Sequence, residues 1–158
     1  MLRARAIWVY GKLGSLPAAF NSPTGQEHLR HVLNGIYQNL THPELPVRVE
    51  AAMAMDALLT HDLAIEFCRP GLEVLLKTYL KIMDDIDFDQ LIEALKHLVE
   101  VYHDEIAPYA VSLCQKLGDA YLRLLASKDS NEEEDTETAL TAEGLMTAIT
   151  RVLGSISG

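Results

Sequence analysis

Cysteine is scarce in this sequence of 158 residues: Cys68 and Cys114 are the only two. Each sits in an apolar helical pattern without a closely spaced partner, which argues against a disulfide framework and suits a reducing, intracellular compartment. Proline and glycine are sparse at six and nine, and aromatics make up 6%. The apolar set leans on Leu, Ala, Met and Ile rather than on β-branched residues, so helices are expected and few or no strands. No apolar run approaches about 18 residues, and the N-terminus lacks an apolar signal region followed by a small-residue cleavage site, so neither a membrane span nor a signal peptide is expected. Positive charge is also in deficit: 13 Lys/Arg against 23 Asp/Glu give a net charge of −10. That field repels phosphates and anionic headgroups and attracts basic partners, which sets aside nucleic acid and membrane as direct ligands.

What the sequence does have is helical periodicity. Composition that is 49% apolar and 23% charged is enough for a folded core. Leu29, Val32, Leu33, Ile36, Tyr37 and Leu40 recur at helical spacing after a capping segment, Asn21-Ser22-Pro23-Thr24. A turn, His42-Pro43-Glu44-Leu45-Pro46, precedes Val47, Ala51, Met55, Leu58 and Leu59, with Pro46 suited to a first helical turn. The pattern of two helices around a polar turn repeats. The expected units are a lone helix over 1–14, then hairpins over 24–61, 69–102 and 104–157, the last interrupted by an acidic loop at 127–138. The first helix opens without a capping residue, as expected of a piece cut from something longer.

Second helices register on one another: Ala6 to Ala51 is 45 residues and Ala51 to Ile92 is 41. Both fall in the interval of about 40–47 residues of HEAT and armadillo units. The fold expected is therefore all-α, a right-handed α-α superhelix of the HEAT/armadillo type with about seven helices. The segment from His42 to Ala54 resembles the HEAT consensus, with Pro46, Val47 and Arg48 followed by the alanine pair Ala51 and Ala52; Arg3 occupies the place of Arg48 in the preceding unit. The order Leu2-Arg3-Ala4-Arg5-Ala6-Ile7-Trp8-Val9, Pro46 to Ala52, Tyr102 to Ala110, acidic loop, and Thr141-Ala142-Glu143-Gly144-Leu145 resembles the middle of importin-β-like nuclear transport receptors, especially the importin-seven and importin-eight type.

That resemblance implies a carrier of cargo between cytoplasm and nucleus, controlled by the small GTPase Ran and passing nucleoporins through the full-length receptor. Ran-contact residues are expected outside this stretch. The alternative is a HEAT scaffold in a non-transport complex, such as a phosphatase or an adaptor coat.

Two acidic groups are the candidate contacts for basic cargo such as histones or ribosomal proteins. Asp84, Asp85, Asp87, Asp89 and Glu93 cluster at a turn and the start of a second helix, where acids also complement the helix dipole. Glu132, Glu133, Glu134, Asp135 and Glu137 form a denser run that serves equally as a solvated linker. Arg48 and Arg3 are expected to staple repeats together through turn carbonyls or Glu44. Trp8, Tyr37, Tyr79 and Tyr121 are expected in packing between helices. His28 with His31, and His97 with His103, lack the neighbours a zinc site needs. No Gly-rich phosphate loop or nucleophile elbow is present, so no enzyme activity, metal or cofactor is expected.

Overall fold

A computed structural model of the chain describes residues 2–14, 20–86, 89–127 and 135–157. Among them there is no strand, and the helices follow in order as α1 (Leu2–Gly14), α2 (Pro23–Asn39), α3 (Leu45–Leu58), α4 (Asp62–Cys68), α5 (Leu72–Asp85), α6 (Asp89–Val101), α7 (Ala110–Ser127) and α8 (Asp135–Ser157). Seven of these have 13 residues or more, and α4 has seven. This is the all-α, HEAT-type architecture expected. The chain forms two compact units, 1–85 and 86–158.

In the first unit, Ser22 caps α2 by accepting from the Gly25 amide at 3.0 Å, with Pro23 in the first helical position. The stripe Leu29, Val32, Leu33 and Ile36 is buried, as the periodicity requires. In α3, Pro46 lies in the first turn, where its missing N–H costs nothing. Val47, Ala51, Ala52, Ala54, Met55 and Leu58 fill the interior. Small residues govern the α1–α3 packing. A Cβ on Gly11 would lie 3.0 Å from the Ala54 Cα, so the two backbones approach as closely as glycine and alanine permit. Tyr79 of α5 is wholly buried and donates its hydroxyl to the Ala52 carbonyl at 2.6 Å, which satisfies its polar end.

The short helix α4 is an addition to the expected plan. A single 3₁₀ turn, Arg69–Gly71, joins it to α5. Ala64 and Cys68 point inward, Cys68 touching the Met55 sulfur at 3.4 Å. Gly71 sits beneath the Tyr37 ring, whose hydroxyl donates to the Gly71 carbonyl at 3.5 Å; a Cβ there would run into that hydroxyl.

The second unit buries Leu91, Leu95, Leu98, Val99 and Tyr102 around α6, Leu113 and Leu117 of α7, and Leu145, Ala148 and Val152 of α8. One expected boundary is corrected. The acidic segment predicted as loop to residue 138 becomes helical at Asp135, so Asp135 and Glu137 belong to the first turn of α8. Acidic residues suit that position because the helix N-terminus carries partial positive charge.

Candidate functional site

Arg48 bridges three acceptors within the first unit. Its guanidinium donates to the carbonyls of His42 and Pro43, both at 2.9 Å, and to the Asp85 carboxylate at 2.9 Å. The side chain is 14% exposed, and its Nε is buried without an acceptor among the described residues. The planar fork spans acceptors that a lysine ammonium cannot span together. Glu44, the other expected acceptor, instead donates its amide to His42 Nδ1 at 3.1 Å. Arg3 has no such partners among the described residues. It is exposed and lines a cavity of about 280 Å³ between α1 and α2, with Ile7, Tyr10, His28, His31 and Ile36.

The first acidic group does not act as one set. Asp84 and Asp85 end α5, where the expected dipole benefit is reversed, because a helix C-terminus is partially negative. Asp85 offsets that cost through Arg48, while remaining 41% exposed. Asp87 lies outside the described residues, and Asp89 begins α6 with its side chain outside them too. Glu93 is 63% exposed and holds Lys96 at 2.9 Å. Its carboxylate also borders Gly144, where a Cβ would come within 3.2 Å of Oε1, so this glycine lets α8 approach the acid. Of the second group, Glu132, Glu133 and Glu134 lie outside the described residues; Asp135 and Glu137 have helix positions but no described side chains.

Charge is nonetheless divided unequally along the chain. Residues 1–85 carry eight Lys/Arg and nine Asp/Glu, net −1, whereas residues 86–158 carry five and fourteen, net −9. Nearly all of the steering field belongs to the second unit. There Arg151 of α8 pairs with Glu100 of α6, and His103 contacts Asp104 at 2.9 Å. Among the described residues no group of His, Cys, Asp and Glu is arranged to hold a metal ion, and no helix is long and apolar enough to cross a membrane.

Among the described residues, three titratable groups are displaced by burial. Loss of water raises the Glu50 carboxyl, partly countered by Lys12. It also raises the Cys114 thiol and the Tyr37 hydroxyl, the latter with a smaller contribution from Cys68. Burial is the first cause of all three shifts, so they describe packing.

Trp8 departs from its expected packing role. It is 51% exposed, with the Lys12 ammonium 5.7 Å from its ring centre. Tyr79 is buried, and Tyr37 and Tyr121 are half-buried.

Along 156 residues, 99% of the chain, the sequence is 31% identical to the importin beta-like SAD2 homolog of Arabidopsis thaliana. It is 28% identical over 135 residues to a probable importin-7 homolog of Dictyostelium discoideum, and 28% identical over 154 residues to importin-8 of Homo sapiens. The chain spans 15%, 12% and 14% of those proteins. No family model and no solved structure matches it.

Proposed function

We propose that this chain, importin-β-like in sequence along almost its whole length, is a protein-binding segment of a nuclear import receptor. The reading is carried by the continuous similarity to importins over 99% of the chain. A helical-hairpin stack offers extended surface and weakly coupled repeats, which suits reversible capture of large partners. The charge division supports the kind of partner. With net −9 in residues 86–158, the second unit attracts Lys/Arg-rich protein segments at long range and repels polyanions.

In this reading the candidate cargo contacts are Glu93, Asp89 and the acids from Glu132 to Glu137, with Asp84, Asp85 and Asp87 flanking them in sequence. Histones and ribosomal proteins have the matching chemistry. Asp85 is divided between this role and its bond to Arg48. The complete receptor would shuttle between cytoplasm and nucleus, engaging Ran and nucleoporins through its other repeats. The chain itself catalyses nothing in this account; it binds.

The test is a titration of the chain with a linker histone at several salt concentrations, repeated with Glu132, Glu133 and Glu134 changed to Gln and Asp135 to Asn. Salt-sensitive binding that weakens on neutralisation supports the reading. Binding indifferent to both salt and neutralisation contradicts it.

A further inference from the structure

Helices α6 and α8 pack side by side in the second unit. Gly144 of α8 borders Glu93 of α6, and seven residues further along each helix Arg151 pairs with Glu100. Both pairs are 51 residues apart, so the two helices run parallel in constant register. The same offset sets Gly154 opposite His103, and there a cavity of about 380 Å³ opens, lined by Val99, Glu100, His103, Arg151 and Gly154. A Cβ on Gly154 would meet nothing within 4 Å, so the α8 side of the cavity is open space. Glu100 and Arg151 are each 43% exposed. In a stack of helical hairpins each unit touches only its neighbours. A further hairpin adds on the side of α8 away from α6, and the groove between these two helices stays uncovered.

We propose that this cavity takes an arginine side chain of a basic partner, and that Arg151 is its resident competitor, holding Glu100 until the incoming guanidinium displaces it. The inference rests on the basic-partner reading above and adds to it a contact, Glu100, and a control, Arg151. The occupant follows from what already sits there: Glu100 holds a guanidinium, whose planar fork matches a carboxylate in a way that an ammonium does not. Arg151 is the only Lys or Arg of α8. On α6, Lys96 is held by Glu93, two turns before Glu100. Exposed ion pairs change an equilibrium constant by at most about fivefold, so Arg151 yields readily. An incoming arginine is drawn by the net −9 of residues 86–158, and within a Lys/Arg-rich segment its neighbours raise its effective concentration at the cavity. Asp104, 91% exposed beside His103, stands one turn further on for a second cation of the same segment. A carboxylate competing for Arg151 would meet the repulsion of that same field.

The experiment titrates the 158-residue chain with a linker histone and with a short synthetic peptide of Arg and Gly. Arg151→Ala should tighten peptide binding about two- to fivefold, because the competitor is gone. Arg123→Ala removes the same charge from α7 and should gain less. Arg151→Gln, which keeps a side chain of similar length, should gain as Arg151→Ala does. Glu100→Gln should weaken binding by a similar factor, more than Asp119→Asn on α7, and combined with Arg151→Ala should cancel its gain. Equal gains from Arg151→Ala and Arg123→Ala overturn the inference, since the field alone would then account for them. Weaker binding by Arg151→Ala at unchanged helix content overturns it as well, because the pair would then be a clasp that shapes the groove. So does a gain that survives Glu100→Gln. If the histone binds in a salt-sensitive way while no variant departs from its charge control, the basic-partner reading stands and this inference alone falls. If neither histone nor peptide binds the parent chain, both fall.

Discussion

Replacing Arg48 with alanine removes three hydrogen bonds at once and leaves the carbonyls of His42 and Pro43 and the Asp85 carboxylate without that donor. Hydrogen bonds from a charged donor contribute roughly 1.5–3 kcal/mol each when buried. Water can reach these acceptors after truncation, because Asp85 is 41% exposed and the Pro43 bond is at the surface. The two carbonyl bonds together are therefore worth about 2–3 kcal/mol, and the ion pair adds under about 1 kcal/mol. The expected loss for Arg48→Ala is about 2–4 kcal/mol. Asp85→Asn should stay within about 0.5 kcal/mol of the parent, since the lost pair is offset by relief of an anion at the negative end of α5. Arg48→Lys keeps the charge but reaches fewer acceptors, and should lose about 1–2 kcal/mol. Urea unfolding followed by far-UV circular dichroism, on Arg48→Ala, Asp85→Asn, the variant carrying both, and Arg48→Lys, separates these contributions. If Arg48→Ala costs less than about 1 kcal/mol, or if its coupling to Asp85 exceeds about 2 kcal/mol, the assignment of the energy to the turn carbonyls is wrong.

Tyr79→Phe deletes the buried bond to the Ala52 carbonyl and should cost about 1 kcal/mol in the same assay, with no change in helix content. Gly11→Ala places a methyl against the Ala54 backbone; steric cost of about 1–3 kcal/mol should outweigh the gain of up to about 1 kcal/mol in helix propensity. Glu50→Gln tests the raised carboxyl. A raised folded-state pKa means that the stability from this group is full below its ordinary value of 4.5 and is lost as pH rises through the folded value, so the Gln variant should gain on the parent from acid to neutral pH. Melting temperatures across that range decide it, and a Gln variant that loses ground as pH rises would reverse the assignment. Alkylation of Cys114 should be slower at neutral pH than that of a small free thiol, because desolvation keeps it protonated; mass spectrometry of the modified chain follows the rate.

The helical hairpins were readable because a stripe such as Leu29, Val32, Leu33 and Ile36 can be buried only if the backbone turns with helical period. The HEAT-type repeat was readable from Pro46, Val47 and Arg48 followed by paired alanines, since that order reflects a first-turn proline and close helix packing, whereas the importin-like resemblance needed the order of several such segments along the chain. Helix α4 was not, because seven residues give too short a window for periodicity to rise above chance. Spacing alone also does not say which face of α1 meets α3, because α1 is apolar around most of its circumference; Ile7 is buried and Trp8 half exposed. Nor does local sequence say that Arg48 reaches an acid 37 residues away, or that Asp84 and Asp85 fall at the end of α5 rather than the start of α6. Those facts depend on where helices stop and on tertiary approach, which periodicity does not encode.

Hydrogen exchange of the chain with and without a saturating linker histone tests the central claim most directly, since it reports where a basic protein sits. The account predicts slower exchange in residues 86–158, lost at high salt, with the α1 amides unchanged. Protection confined to α1–α5, or no protection at any salt concentration, contradicts it.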